Sequence, residues 1–244
     1  MGCFRYSNTL LTNGKLTLSL TTLYIDDGVI LASGPTIQAT AQTITMAFKE
    51  MHTWLFQRGL KMDQVKNDLM HFTKARNQNE NLSIQIPSNN PGESKEVIPS
   101  KIMCYLGLWF DPELKFHEHA KIAASKASKA TEPLHMLGNS TCGLHQIYLR
   151  QMYLGAILPI ITYGSAAFWN GKSTSIRNIL GCIQNKALCF ITGAFKTMSI
   201  TALEIKASIP PIDITLDYYT QRYTAHTSRL APSNPVICQI PEEH

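Results

Sequence analysis

Regular structure begins with a period of two. Leu16, Leu18 and Leu20 alternate with Thr17 and Ser19, and an apolar run, Val29-Ile30-Leu31, follows Asp26-Asp27-Gly28. Alternation on both sides of an acidic pair and a glycine predicts a β-hairpin with Asp-Asp-Gly at its tip. The period then lengthens: Ile37, Ala41, Ile44, Phe48, Met51 and Leu55 recur at steps of three and four. That stripe predicts a helix with Thr36 as N-cap, ended by Arg58-Gly59 and packed on the sheet. Leu69-Met70-His71-Phe72 and Leu82-Ser83-Ile84-Gln85-Ile86 read as further strands, and the Pro-, Asn- and Ser-rich stretch from Pro87 to Ser100 as a mobile loop. Ile102 to Phe110 reads as a last β arm, with Gly107 where a bulge or a close approach of another backbone fits. Residues 1 to 15 are polar and loop-like.

From His117 onward the pattern is helical. Lys115 to Leu137 carries Ile122, Ala123, Ala127, Ala130 and Leu134 on one side and Lys121, Lys126 and Lys129 on others. Helices are also predicted over Leu144 to Leu158, Thr174 to Phe195 and, after Ile209-Pro210-Pro211-Ile212, Asp213 to Leu230. The expected architecture is α+β: residues 1–115 mixed, 116–230 all helical, and 231–244 a disordered tail.

The candidate chemistry lies in the hairpin. Asp26 and Asp27 repel each other, and no Lys or Arg stands between Lys15 and Lys49 to neutralise them. Asp and Gly suit an ordinary turn for backbone reasons alone. Adjacent carboxylates also suit Mg²⁺, a hard cation that takes oxygen ligands and is used in pairs to activate an attacking oxygen and stabilise a leaving one.

Three motifs in order carry a resemblance. Tyr24-Ile25-Asp26-Asp27 resembles the Tyr-x-Asp-Asp box of reverse transcriptases. Gly59-Leu60-Lys61-Met62-Asp63-Gln64-Val65-Lys66 resembles the next palm motif of the non-LTR retrotransposon branch, and Tyr105-Leu106-Gly107-Leu108-Trp109-Phe110-Asp111 its primer-grip strand pair. Ile183-Gln184-Asn185-Lys186-Ala187-Leu188 and Ile191-Thr192-Gly193-Ala194-Phe195-Lys196 are similar to the post-thumb region of fungal and insect elements. The resemblance covers about residues 16 to 230. It implies a partial polymerase palm, an antiparallel sheet crossed by a long helix, followed by a helical thumb and connection. It implies RNA-directed DNA synthesis on a primer-template duplex with dNTP and Mg²⁺. Asp26 and Asp27 would be the metal ligands and Lys66 the triphosphate partner and general acid. Tyr24 would pack or meet the template, Gly107 would approach the primer, and Lys121, Lys126 and Lys129 would neutralise duplex phosphates. A solvated surface lysine and a solvated helix face are the plain alternatives for Lys66 and for the helix lysines. Neither Asp nor Glu precedes Asp26, whereas the family has a further metal-binding aspartate well upstream. The resemblance therefore implies a chain that starts inside the palm and is inactive alone.

Composition bounds these readings. With 244 residues, 44% of them hydrophobic, the chain can bury a core as one large domain or two small ones. A net charge of +5 and a pI near 8.8 permit a nucleic-acid partner without demanding one. The six cysteines include no Cys-x-x-Cys pair, so neither a zinc site nor a disulfide scaffold is expected; Cys182 and Cys189, seven apart, read as buried thiols on one helix face. His117 and His119 fall on different helix faces. The most apolar stretch, Tyr153 to Phe168, is too short for a membrane span and is broken by Pro159 and Gly164, and no secretory signal is visible. The expected setting is cytoplasmic or nuclear. Three function classes follow: an inactive polymerase fragment, a polymerase completed by a second chain, and a non-catalytic nucleic-acid-binding module.

Overall fold

A computed structural model describes residues 6–12, 15–24, 27–72, 82–88, 92–138, 143–231 and 234, with residues 6–24 and Gln64 as backbone only. The fold is α+β, with small antiparallel sheets and a larger helical part. The chain forms two compact units, Met1–Leu114 and Lys115–His244.

In the first unit, β1 (Tyr6–Thr12), β2 (Lys15–Tyr24) and β3 (Asp27–Ser33) form an antiparallel sheet in that order. Strand β1 overturns the expectation of a loop over residues 1 to 15. Its register with β2 ends at Thr12↔Lys15, so the two are joined by Asn13-Gly14. Asn-Gly between strands is the strongest two-residue hairpin signal, and β1 pairs through its backbone although its composition is polar.

Helix α1 (Ile37–Gln57) lies against this sheet. Thr36 caps it as expected, its hydroxyl accepting from the Ala39 N–H at 3.2 Å. Arg58 closes the other end, donating to the Trp54 carbonyl and lying 3.9 Å over the Trp54 ring, and Gly59 takes a left-handed φ of 72°. Ala41 and Phe48 are buried, with Ile44 and Met51 packed beside them, so the stripe read from the sequence is the helix face in the core. Ile30 of β3 joins the same cluster.

The rest of this core comes from segments of mixed legibility. Leu69-Met70-His71-Phe72 is not a strand: Leu69 makes a single bridge to Pro99, and the segment earns its place by burying Leu69, Met70 and His71. The expected loop from Pro87 to Ser100 contains β5 (Ser94–Val97), which pairs with β4 (Ile84–Pro87) so that Val97 faces Ile84, both buried. Pairing with β4 overrides the weak local propensity of Ser-Lys-Glu-Val. Strands β6 (Met103–Tyr105) and β7 (Leu108–Phe110) form a hairpin. Its two turn residues, Leu106 and Gly107, have φ of 47° and 80°. Two positive φ values mark the tight turn whose twist matches paired strands, so Gly107 sits in a turn and not in a bulge.

The second unit is helical. Helix α2 (His117–Leu137) buries Ala120, Ala123, Ala127, Thr131 and Leu134, close to the predicted side. The predicted helix over Leu144 to Leu158 becomes α3 (Gln146–Met152), a π-helical turn (Tyr153–Ile157) and α4 (Leu158–Thr162). Pro159 explains the widening: it has no N–H, and its ring would crowd the carbonyl four residues back in an α-helix. The Leu158 N–H instead bonds the Tyr153 carbonyl, five residues back. Helix α5 (Ser165–Phe168) is a short addition, α6 (Thr174–Thr192) takes up the predicted span but stops three residues early at Gly193, whose φ is 64°, α7 (Ile200–Ala207) was not anticipated, and α8 (Ile212–Thr227) closes the unit. The tail expected from residue 231 lies almost wholly outside the described residues.

Candidate functional site

The hairpin register fixes what the acidic pair can do. Tyr24 pairs with Asp27, Leu23 with Gly28 and Thr22 with Val29. Ile25 and Asp26 are therefore the two residues that join the strands, and both lie outside the described residues. Asp27 is the first residue of β3, not the tip. Alternation along β3 places Ile30 toward the core under α1, and Asp27 with Leu31 on the opposite, open face, where Leu31 is 46% exposed. Asp27 is exposed, and its carboxylate has no hydrogen-bond or ion-pair partner among the described residues. Of Tyr24 the backbone alone is described.

Lys66 ends a 3-10 turn (Gln64–Lys66) that Asp63 starts: the Asp63 carboxylate accepts from the Val65 N–H at 3.1 Å, and its other oxygen lies 3.6 Å from Lys66 Nζ. With 84% of its side chain exposed, this pairing contributes little, on the order of 0–1 kcal/mol. No hydrogen bond or ion pair among the described residues joins Lys66 to Asp27. Mg²⁺ takes about six oxygen ligands, and the described residues bring a single carboxylate to this place. No group of three His, Cys, Asp or Glu poised for a metal occurs among them. The described donor set by itself does not fit a metal centre, and no step is assigned through one.

On α2 the lysines share their exposed side with two acids. Lys121 pairs with Glu118 at 2.6 Å, and Glu132 pairs across helices with Lys186 of α6 at 2.7 Å. The Lys186 hydrogen bond holds the Glu132 carboxyl below its usual range. Lys126 and Lys129 form no ion pair among the described residues and are the face's uncompensated cations.

Sequence reasoning missed a buried polar knot in the helical unit. The Tyr153 hydroxyl donates to Gln184 Oε1 at 3.1 Å, and Gln184 Nε2 donates to Glu204 Oε1 at 3.2 Å and to the Pro210 carbonyl at 2.9 Å. Burial pushes the Tyr153 hydroxyl up, with the Glu204 charge adding to it, and burial pushes the Glu204 carboxyl up as well. Gln184 is 1% exposed at a position in line with Leu180 and Leu188. A polar residue within an apolar stripe was the available signal. Arg150 adds a second tie, donating Nε to the Ala207 carbonyl and Nη2 to the Ser208 carbonyl, both at 2.9 Å, where α7 ends. These groups join helices.

Among the described residues, histidines and cysteines do not gather into a group of three that could hold a metal. His119 is buried against Phe168, ring centroids 4.9 Å apart, and burial lowers its pKa. Cys189 is buried as expected, but Cys182 is exposed. Both lie off the α6 stripe of Ile176, Leu180 and Ala187, so sharing a side does not bring shared cover.

No protein-family model matches the chain, and no solved structure does. The chain is 29% identical over 119 residues to the Retrovirus-related Pol polyprotein from type-1 retrotransposable element R1 4 of Nasonia vitripennis. The match takes in 49% of this chain and spans 30% of that polyprotein. The likeness supports a retrotransposon-related origin. Among the described residues, no helix is long and apolar enough to cross a membrane.

Proposed function

We propose that the chain is part of a retrotransposon RNA-directed DNA polymerase, carrying the acidic hairpin of a palm and a helical thumb and connection, and inactive by itself. The observation that carries this reading is the hairpin: Asp27 heads β3 on the open face of its sheet, exposed and without a cationic partner among the described residues, in a chain similar to a Pol polyprotein. An exposed carboxylate with no described cation beside it is open to a metal ion. In this reading Asp26 and Asp27 bind Mg²⁺ once further acidic ligands are supplied, and Lys66, weakly held by Asp63, is free to reach a triphosphate. Lys126 and Lys129 meet the phosphates of the primer-template duplex.

Primer extension with Mg²⁺ and dNTP tests the reading. The 244-residue chain alone should give no product. Adding the polymerase residues that precede the hairpin in an intact element should restore extension, and Asp27→Asn should abolish it. Extension by the isolated chain refutes its inactivity alone, and restored extension that ignores Asp27→Asn refutes the role of the hairpin.

A second reading, a nucleic-acid-binding module without catalysis, is favoured by the placement of charge. Residues 1–114 contain ten Lys and Arg against ten Asp and Glu, whereas residues 115–244 contain twelve against seven. All of the +5 net charge therefore belongs to the helical unit.

A further inference from the structure

Helix α8 changes character half-way along. In its first half Ile212, Thr215 and Leu216 are buried at steps of three and four, and Trp169 Nε1 donates to Asp217 at 2.6 Å, tying the helix to the unit. The same steps continue through Tyr219 to Arg222, Tyr223 and His226, yet these last three are exposed. Tyr218, one turn before Arg222, is exposed as well; Tyr218 and Tyr223 are each 57% open. Periodicity of this kind normally marks a core face. Here the face opens to solvent over Arg222, Tyr223 and His226 before Thr227 is buried again near the end of the helix, and what the open part presents is aromatic and cationic.

No acid occurs between Tyr218 and Leu230, while Arg222 and Arg229 do, in the unit that carries all of the net positive charge. Tyrosine and arginine also populate protein interfaces, but charge of one sign favours a polyanion. Within polyanions, a duplex keeps its base faces stacked on one another, and lysines alone suffice to meet its phosphates. Exposed rings beside an arginine gain most from unpaired bases, whose faces are open.

We infer that the C-terminal half of α8 is a binding face for single-stranded nucleic acid, on which Tyr218 and Tyr223 stack with unpaired bases and Arg222 meets a phosphate. This face is separate from the α2 lysines and stands whether or not the hairpin belongs to a polymerase.

The test is fluorescence anisotropy of the full chain with a labelled unstructured RNA strand of about 20 nucleotides, beside a duplex of equal length. Tyr218→Ala with Tyr223→Ala should weaken single-strand binding about tenfold or more and leave the salt dependence unchanged, because stacking releases no counterions. Tyr→Phe at both positions should keep the affinity. Arg222→Gln, on an exposed side chain that does not threaten folding, should reduce the salt slope by about one. Lys126→Ala with Lys129→Ala should weaken duplex binding and preserve the single-strand preference. The inference is overturned if the wild-type chain does not bind the single strand, if the alanine pair binds it unchanged, or if Arg222→Gln leaves the slope as it was. A wild-type dimer that the alanine pair dissolves would assign the face to a second copy and overturn it too.

Discussion

The hydroxyl of Tyr153 and the side-chain carbonyl of Gln184 meet at 3.1 Å in a region both residues seal from solvent, with 0% and 1% of their surfaces exposed. Gln184 also donates to Glu204 and to the Pro210 carbonyl, so one side chain answers the π-helical turn, α7 and the link into α8. Removing it orphans several polar groups at once. Gln184→Ala should destabilise the chain by about 2–4 kcal/mol. Tyr153→Phe leaves one acceptor short and should cost about 1–2 kcal/mol. Urea unfolding followed by circular dichroism measures both, and equal costs for the two variants would show that Gln184 is not the hub.

Glu204 makes stability depend on pH with an unusual sign for a carboxylate. Its pKa is raised in the folded state, mainly by burial. The native form therefore holds the proton more tightly than the unfolded chain, and stability declines as pH rises from the ordinary glutamate range through the raised folded value. Glu204→Gln keeps an acceptor for Gln184 and removes the charge. The variant should have a higher urea midpoint than the wild type at pH 7 and match it at low pH, where both side chains are neutral. Glu132, held low by Lys186, works in the opposite direction: its contribution is present at neutral pH and lost as pH falls through its depressed pKa.

At the β6–β7 turn, Leu106 holds φ of 47° and Gly107 φ of 80°. A leucine in the left-handed region costs roughly 1 kcal/mol that Asn or Gly largely avoids. Leu106→Asn should raise the melting temperature by a few degrees, and Gly107→Val should lower it by more, as read by thermal unfolding. A neutral Gly107→Val would mean that the turn does not hold its conformation in solution.

If the α2 face meets duplex phosphates, its lysines are not equal. Glu118 already compensates Lys121, whereas Lys126 and Lys129 have no ion pair among the described residues. Lys126→Ala with Lys129→Ala should flatten the plot of log affinity against log salt by about two. Lys121→Ala should change it by less than one. A filter-binding titration over about 50 to 200 mM salt resolves the difference.

Patterns that act within a few residues were legible in the sequence. The cap at Thr36, the stripe from Ile37 to Leu55 and the stop at Gly59 set α1 almost to the residue, because helix signals are local. The hairpin that places Asp27 was legible for the same reason, and Asn13-Gly14 was an equally local signal that the polar composition of β1 concealed. What depended on distant partners was decided only by tertiary structure. Ser94–Val97 is a strand because β4 lies beside it, and Gln184 is buried because Tyr153, Glu204 and Pro210 together satisfy its amide. Lys121 and Glu118 could be paired from their spacing, but Lys186 finds Glu132 only across two helices, 54 residues apart. Whether a stripe becomes core was likewise not in the stripe: the face of α8 that buries Leu216 leaves Tyr223 in solvent. Burial belongs to the neighbour, and a period of 3.6 residues says which side faces a neighbour without saying that one is there.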